Sequence, residues 1–222
     1  MTPTLPVVDP PATVADPVRE GPVAGVLLAA GTSSRFGDRN KLLADLDGMP
    51  LVRHAATTLR EAQVDPLVVV VGEDADRVRR ALDGLDAVVV DNPAYERGQA
   101  TSVRAGVRAL ADTGTDVAGA VFALGDMPFV APASVDALVA AYRAGEGAAL
   151  AAAHEGQRGN PVLFDARYFD ALADIDGDVG GREILLEGEA SVLIETGDPG
   201  VLADVDTDED LRAMRDGDRQ PH

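Results

Sequence analysis

The residues best suited to chemistry lie in one loop-forming stretch, residues 29–43, which directly follows an apolar run. Its glycines and small hydroxyl residues allow backbone N–H groups to turn toward a bound anion. Arg35, Arg39 and Lys41 fall within seven residues, although the chain has 38 acidic residues against 19 basic ones. Lys41 is the only lysine in the chain. Because a compact ammonium and a planar guanidinium are not interchangeable at a tight phosphate site, this stretch predicts a triphosphate-binding pocket.

Two well-known phosphate-binding loops do not match this stretch. A Walker loop places a lysine directly after its second glycine, whereas five residues separate Gly31 from Gly37 and Lys41 comes four residues later. The dinucleotide pattern G-x-G-x-x-G is also absent, which weakens an oxidoreductase interpretation. The alternative to a phosphate site is a plain strand-to-helix connection with solvated arginines.

Candidate metal ligands are acidic residues that follow apolar runs. The run Val117–Leu124 predicts a strand, and Asp126 comes just after it in Gly-Asp-Met-Pro. A carboxylate at the carboxyl end of a parallel strand can reach a ligand bound there, and Mg²⁺ prefers hard oxygen ligands together with substrate phosphates. Asp126 is therefore a candidate Mg²⁺ ligand, the alternative being a turn aspartate before proline. Asp204 and Asp206 precede the last predicted helix, where Asp206 also fits a helix cap.

The elements that position these residues alternate regularly between strand and helix. Strands are predicted at residues 23–29, 67–71, 87–90 and 117–124. Between them, apolar residues recur at helical spacing. This order predicts a Rossmann-like, three-layer α/β/α fold with a mostly parallel sheet, in which ligands bind at the carboxyl ends of the strands. Residues 148–153 fit a strand or a helix.

The domain organisation follows from the same pattern. Residues 1–22 are rich in proline, acidic and small residues, which predicts a flexible N-terminal tail. A single domain is expected over residues 23–215, followed by a short C-terminal tail, residues 216–222. Beyond residue 155 we expect a strand near 161–164, a short helix at 180–186 and a last helix at 207–214. Thr207 and Asp210 would cap that last helix.

Composition excludes several classes of protein. The chain has no cysteine, which rules out thiolate catalysis, disulfides and Cys-ligated zinc. A net charge of −19 repels nucleic acid and anionic membranes. No apolar run is long enough for a membrane span, and no secretory signal is visible, so we expect a cytoplasmic protein. The acidity suggests adaptation to a high-salt, halophilic cytoplasm, the alternative being an ordinary acidic protein.

Several motifs together resemble a known family. The stretch LAAGTSSRFGDRNKLL and the Gly-Asp-Met-Pro motif are similar to those of the MobA-like nucleotidyltransferases, above all the molybdenum cofactor cytidylyltransferases. The resemblance covers residues 23–215. It implies a nucleotide-diphospho-sugar transferase-like fold and transfer of CMP from CTP to the phosphate of molybdenum-molybdopterin, with Mg²⁺ as cofactor and a molybdoenzyme or its chaperone as a possible partner. The related guanylyltransferases usually have Leu-Ala-Gly-Gly where this chain has Leu28-Ala29-Ala30-Gly31.

The resemblance also implies which residues form the site. Lys41, Arg35 and Asp126 would be catalytic, with Asp126 and Asp206 on the metal. Asn160 stands where the cytidylyltransferases have histidine, which weakens its role or marks a different acceptor. The implied nucleotide-binding residues are Leu28, Ala29, Ala30, Gly31, Arg35, Lys41, Asn92, Gly98, Ser102 and Asp126. The implied acceptor-binding residues are Asn160, Asp178 and Arg182.

Three other functions stay open on the sequence. The first is a guanylyltransferase of the same family. The second is a cytidylyltransferase that acts on a sugar or isoprenoid phosphate. The third is a non-catalytic protein that delivers the cofactor to a target enzyme.

Overall fold

Apolar, valine-rich runs form a central sheet. In this computed structural model, residues 5–14, 17–33, 36, 39–175, 181–188 and 190–217 are described, and eight strands of these residues form one sheet. The strands of this sheet are β1 (Val7–Val8), β2 (Val23–Ala29), β5 (Leu67–Val71), β6 (Val88–Asp91), β7 (Gly119–Leu124), β8 (Ala149–His154), β9 (Gln157–Asp165) and β10 (Ser191–Glu195). Two further strands, β3 (Asp45–Leu46) and β4 (Met49–Pro50), lie outside it. The α-helices are α1 (Leu51–Glu61), α2 (Ala75–Ala81), α3 (Gln99–Asp112), α4 (Pro132–Ala144), α5 (Phe169–Asp174), α6 (Arg182–Glu187) and α7 (Asp208–Gly217).

The sheet is mostly parallel, as predicted. Its strand order is β1-β10-β8-β9-β7-β2-β5-β6, and β9 alone of these strands runs antiparallel to its neighbours. Strands β3 and β4 form a separate small hairpin. Because β2, β5 and β7 are parallel and adjacent, their carboxyl ends lie together at one edge, where the candidate residues are found.

Alternating side chains of the strands build two cores, one on each face of the sheet. Leu27 and Val69 pack on one face with α1, α2 and α4. Val26 and Val68 pack on the other face with α3, α5 and α6. The three-layer α/β/α arrangement predicted from the sequence is confirmed, and both β2 and β5 are buried along their whole length.

A third, smaller cluster lies beneath the candidate site. Phe36 and Leu46 pack there against Leu51, Val205 and Leu211. This contact joins the loop after β2, the β3–β4 hairpin and α7, so residues far apart in the sequence are fixed at the same edge of the sheet.

The later elements occur where the sequence placed them, with small shifts at their ends. The ambiguous residues 148–153 form β8, and the predicted strand at 161–164 is the second half of the longer β9. The short predicted helix is α6, and the last helix, α7, begins one residue later than predicted and continues to Gly217. No described helix has the length and apolar character that crossing a membrane requires.

The structure corrects the prediction of a flexible N-terminal tail. Val7 and Val8 form β1 and pair in parallel with Leu193 and Ile194 of β10. The composition was misleading because a two-residue strand gains its stability from the edge it joins, which local sequence does not reveal. Residues 1–4 and 15–16 lie outside the described residues.

Arg19, at the end of this N-terminal segment, contacts Tyr142 and Asp165 of the domain. Its Nη1 donates a 2.7 Å hydrogen bond to the carbonyl oxygen of Tyr142, and its guanidinium lies 4.7 Å from the centre of the Tyr142 ring. Its Nε lies 3.3 Å from Oδ2 of Asp165. The Tyr142 hydroxyl donates to the carbonyl oxygen of Ala118 at 2.6 Å and to Asp165 at 3.2 Å. The segment therefore belongs to the folded unit.

We predict that Tyr142→Phe lowers the free energy of unfolding by about 0.5–1.5 kcal/mol at neutral pH, because it removes a hydroxyl that donates to Ala118 and Asp165. Burial first, and then the charge and hydrogen bond of Asp165, raise the pKa of Tyr142 from 10.0 to about 12, against the opposing charges of Arg19 and Arg167. The unfolded chain loses this proton near pH 10 while the folded chain keeps it, so stability falls as pH rises from 10 toward 12. Urea unfolding of both proteins at pH 8 and pH 11 checks this. An equally steep alkaline loss in the phenylalanine variant would contradict it.

Candidate active site

The side chains of Lys41, Asp126 and Asp206 meet at the carboxyl end of the parallel strands. Nζ of Lys41 lies 2.6 Å from Oδ2 of Asp126 and 2.8 Å from Oδ1 of Asp206. The three side chains are 14%, 18% and 34% exposed, respectively. Because water is partly excluded, this ion pair is stronger than one on the open surface. A cation and two carboxylates thus converge on one point of the sheet edge.

A short 3₁₀ turn, Lys41–Leu43, presents the ammonium. Asn40 caps the turn: its Oδ1 accepts a 3.0 Å hydrogen bond from the backbone N–H of the turn's middle residue. Oγ of Ser33 accepts a 3.0 Å hydrogen bond from the first residue of the turn. Nδ2 of Asn40 donates to the carbonyl oxygen of Glu73, beyond the end of β5. The lysine therefore stands on a turn that is tied to two neighbouring strand ends.

Backbone contacts bring the two carboxylates side by side. The carbonyl oxygen of Asp126 accepts a 3.0 Å hydrogen bond from the backbone N–H of Val205. Oδ2 of Asp210 accepts from the backbone N–H groups of Asp206 at 3.1 Å and Thr207 at 2.7 Å, and the hydroxyl oxygen of Thr207 accepts from the Asp210 N–H. This reciprocal cap confirms the predicted capping pair. It also fixes Asp206 at the start of α7.

The electrostatics of the group favour a charged lysine. Burial lowers the pKa of Lys41, but the charges and hydrogen bonds of Asp126 and Asp206 outweigh burial and hold this pKa above its usual 10.5. Lys41 is therefore a cation at neutral pH. Burial raises the pKa of nearby Asp204, and the negative charges of Asp126 and Asp206 raise it further. One ammonium thus faces three acidic side chains.

The oxygen atoms of this site suit a divalent metal ion that is shared with a substrate. Oδ1 of Asp126 is buried and has no hydrogen-bond partner among the described residues. Within the same residues, no group of three or more His, Asp or Glu side chains could hold a metal ion. Mg²⁺ commonly takes one or two carboxylates and completes its coordination with water and phosphate oxygens. Asp126 and Asp206 therefore fit a metal ion that binds together with a polyphosphate.

A cavity of about 330 Å³ opens beside Lys41 and Asp126. One wall is the end of β2 with its following loop, and the opposite wall is the start of α3. Gly98 precedes α3 with a φ of +103°, and no side chain caps this helix start. The N–H groups of the first helical turn and the helix dipole favour an anion there. The predicted residues that line this cavity with Lys41 and Asp126 are Leu28, Ala30, Gly31, Gly98 and Ser102.

A second cavity of about 390 Å³ adjoins the first. The two cavities share Leu28, Gln99 and Leu124 as lining residues. Arg158 and Arg182 both line the second cavity, and burial followed by the like charge of Arg182 lowers the pKa of Arg158. Two cations held near each other in a strongly acidic protein suit an anionic ligand group. The remaining wall is largely apolar and includes Phe122, Val162 and Phe164.

Comparison with known proteins now identifies the family. The model of the MobA-like NTP transferase domain matches residues 25–192. The chain belongs to this family. The sheet, with its antiparallel strand β9, has the nucleotide-diphospho-sugar transferase fold, as the resemblance implied.

Relatives of this MobA-like protein carry different names. It is 32% identical over 196 residues to nicotine blue oxidoreductase of Paenarthrobacter nicotinovorans, covering 85% of this chain and 94% of that protein. It is 30% identical over 212 residues to a probable molybdenum cofactor guanylyltransferase of Natronomonas pharaonis, covering 88% and 98%. Among solved structures, the Mycobacterium tuberculosis protein Rv0371c in complex with manganese is similar, with 30% identity, a TM-score of 0.71 and coverage of 88% and 98%.

The structure brings together most of the residues predicted for this MobA-like site. Lys41, Asp126 and Asp206 are in contact. Asn160 and Arg182, predicted for the acceptor, line the adjoining cavity. Arg35 and Asp178 lie outside the described residues, so their predicted roles stay predictions.

Two of the predicted nucleotide contacts, Ala29 and Asn92, do not line the cavity beside Lys41. Ala29 points into the core on the α1 side of the sheet and is fully buried. The amide of Asn92 is buried and donates hydrogen bonds to Oγ1 of Thr101 at 2.8 Å and to Oγ of Ser102 at 3.0 Å. Asn92 therefore positions the start of α3, including Ser102.

Several residues of the site were not predicted from the sequence, and three of them show why. Asn40 carried a usable signal, because an asparagine directly before a short turn is a common cap. Arg158 opens the same motif as Asn160, but nothing in the sequence showed that it would lie beside Arg182. Gln99 lies between the two cavities, and no sequence pattern singled it out.

Gly31 offers a test of the nucleotide cavity. A Cβ atom added there meets no protein atom within 4 Å, so the fold itself has no need for glycine at this position. We predict that Gly31→Ala leaves the thermal unfolding midpoint unchanged. A close-fitting nucleotide would be crowded by about 1–3 kcal/mol, which weakens its affinity about 5- to 150-fold. Calorimetric titration with nucleoside triphosphates measures this. Unchanged affinity would place the nucleotide elsewhere.

Proposed function

We propose that this protein transfers the CMP unit of CTP to the phosphate of molybdenum-bound molybdopterin and releases pyrophosphate. The observation that carries the proposal is the contact of Lys41 with Asp126 and Asp206 at the mouth of a cavity between the β2 loop and the start of α3. This arrangement offers an ammonium, hard oxygen ligands and helix N–H groups to a single triphosphate.

The proposed reaction is an in-line displacement at the α-phosphorus of the nucleotide. An oxygen of the acceptor phosphate forms a new bond to that phosphorus, and the bond to the β-phosphate oxygen breaks. The electron pair of the broken bond leaves with pyrophosphate. Because the acceptor phosphate is already ionised, the chain needs no strong general base. Positioning of the two reactants then contributes up to about 7–11 kcal/mol to the lowering of the barrier.

Individual residues have separate tasks in this proposal. The ammonium of Lys41 contacts the β- and γ-phosphates and stabilises the negative charge that grows on the leaving group. Asp126, supported by Asp206, would hold Mg²⁺, which would supply Lewis-acid stabilisation and a template for the triphosphate. Gly31 and Gly98 leave room for the nucleotide to approach the backbone closely. Ser102, held by Asn92, contributes a hydroxyl at the cavity wall.

The choice of CTP rests on the sequence Leu28-Ala29-Ala30-Gly31. The related guanylyltransferases usually have Leu-Ala-Gly-Gly at these four positions. The 30% identity to a probable molybdenum cofactor guanylyltransferase makes GTP the nearest rival. Calorimetry with CTP and GTP in parallel distinguishes the two, and tighter binding of GTP would reverse the assignment of the base.

The adjoining cavity supports an acceptor with an anionic group and a flat ring system. Arg158 and Arg182 supply the positive charge, while Phe122 and Phe164 supply apolar surface. Molybdopterin has both features, and the name of the Natronomonas relative supports it as the acceptor. A sugar phosphate or an isoprenoid phosphate is the alternative, and a panel of acceptors in the same assay decides between them.

A second candidate function comes from the relative named nicotine blue oxidoreductase, which is 32% identical to this chain across 94% of its own length. An activity of that kind would transfer electrons from a donor to an acceptor, and a reduced nicotinamide is one donor to test. Absorbance of NADH and NADPH, followed with and without a quinone-type acceptor dye, tests it directly. If neither this activity nor pyrophosphate release is found, a protein that delivers the cofactor without catalysis becomes the better assignment.

We predict that Lys41→Ala and Asp126→Ala each slow pyrophosphate release with CTP, Mg²⁺ and acceptor by about 100- to 1000-fold, because each removes a stabilising contact with the transition state. Arg77→Ala is the matched control, since it removes a cation from a surface pair with Asp74 that is 57% and 35% exposed. The control should retain wild-type turnover. Near-wild-type turnover in both site variants, with folding verified by circular dichroism, would contradict the proposed nucleotidyltransferase site.

We further predict that Arg158→Ala raises the KM for the acceptor about 10- to 100-fold, because a charge-assisted hydrogen bond contributes about 1.5–3 kcal/mol. The KM for the nucleotide should stay unchanged, since Arg158 lines only the adjoining cavity of the two. Steady-state kinetics with one substrate varied at a time measures both constants. Equal effects on the two would argue against separate cavities for nucleotide and acceptor.

A further inference from the structure

The ammonium of Lys41 occupies the space between the two carboxylates to which a metal ion would bind. It lies 2.6 Å from Oδ2 of Asp126 and 2.8 Å from Oδ1 of Asp206. The far oxygen of Asp126, Oδ1, is buried and has no hydrogen-bond partner among the described residues. A side-chain cation therefore neutralises the pair.

Lys41 cannot donate hydrogen bonds equally to the carboxylates and to a triphosphate at the same time. Its three N–H donors point to whichever anions lie nearest, and two carboxylates now take two of these donors. A divalent ion placed at the same oxygens would also lie a few ångströms from a unit positive charge, which repels it strongly where water is partly excluded. The metal ion and the ammonium therefore compete for the same oxygens.

A triphosphate removes this competition. It attracts the ammonium toward its own oxygens, and it brings further oxygen ligands for the metal ion. The turn that carries Lys41 is anchored by Asn40 and Ser33, so only the flexible lysine stem has to move.

We infer that Lys41 is a resident counter-cation of the Asp126–Asp206 pair, which keeps divalent metal ions out until a polyphosphate draws the ammonium away. Metal ion and polyphosphate consequently bind with positive cooperativity, each raising the affinity for the other by the same factor. This inference rests on the proposed use of the site for a metal-bound triphosphate, and it concerns neither the base nor the acceptor.

Direct metal binding tests the inference. The signal of free Mn²⁺ in electron paramagnetic resonance gives Mn²⁺ affinity for the wild-type protein, Lys41→Met and the surface control Arg77→Met, with and without inorganic tripolyphosphate. We expect wild-type affinity for Mn²⁺ to rise at least about tenfold with tripolyphosphate. Without tripolyphosphate, Lys41→Met should bind Mn²⁺ at least about tenfold more tightly than wild type or Arg77→Met. Equal affinities of the three proteins for Mn²⁺ alone would overturn the inference.

A second measurement needs no variant and so cannot fail through misfolding. Because Lys41 is the only lysine in the chain, protein grown with ¹³Cε-labelled lysine gives a single lysine signal in NMR. We expect this signal to stay in place with Mg²⁺ alone and to shift when Mg²⁺ and tripolyphosphate are added together. An equal shift with Mg²⁺ alone would overturn the inference.

The two tests separate this inference from the proposed function. Neither uses CTP, the molybdopterin acceptor or turnover. Cooperative Mn²⁺ binding without any pyrophosphate release would keep the inference and remove the enzyme assignment. Pyrophosphate release without cooperative Mn²⁺ binding would keep the enzyme assignment and remove the inference.

Discussion

The close approach of one ammonium to two carboxylates is the interaction on which the arrangement of this sheet edge depends. Lys41 comes from the loop after β2, Asp126 from the turn after β7 and Asp206 from the segment just before α7. Partly buried carboxylates this close together repel each other strongly unless a cation lies between them. The single lysine of the chain therefore contributes to local folding, and experiment has to separate this role from its proposed role in ligand binding.

The parallel sheet brings these residues together with little cost elsewhere. Adjacent parallel strands end at the same edge, so loops that are distant in sequence become neighbours. The backbone hydrogen bond from Val205 to Asp126 then fixes α7 against β7. The small cluster that contains Phe36 and Leu211 supports this contact from below.

Much of this arrangement could be predicted from the sequence, because it depends on local patterns. The valine-rich run of β5 and the reciprocal cap of Thr207 and Asp210 each carry their own signal. Long-range contacts leave no such signal in the sequence. Asn92 matched a ligand-binding motif but supports Ser102 from behind, and the proximity of Arg158 to Arg182 depends on how β9 and α6 pack. The sequence gives the chemistry of the pocket and the order of its walls, whereas the fold decides which residues face the ligand.

The short strand β1 has a practical consequence for anyone who shortens this protein. Its pairing covers the outer side of β10, and Arg19 bonds both Tyr142 and Asp165. A version that starts at Val23, the first residue of β2, would leave the main-chain groups of β10 open to pairing with a second molecule. Self-association through that bared strand is then the expected behaviour of the trimmed protein, so expression plasmids should retain the chain from residue 5 onward.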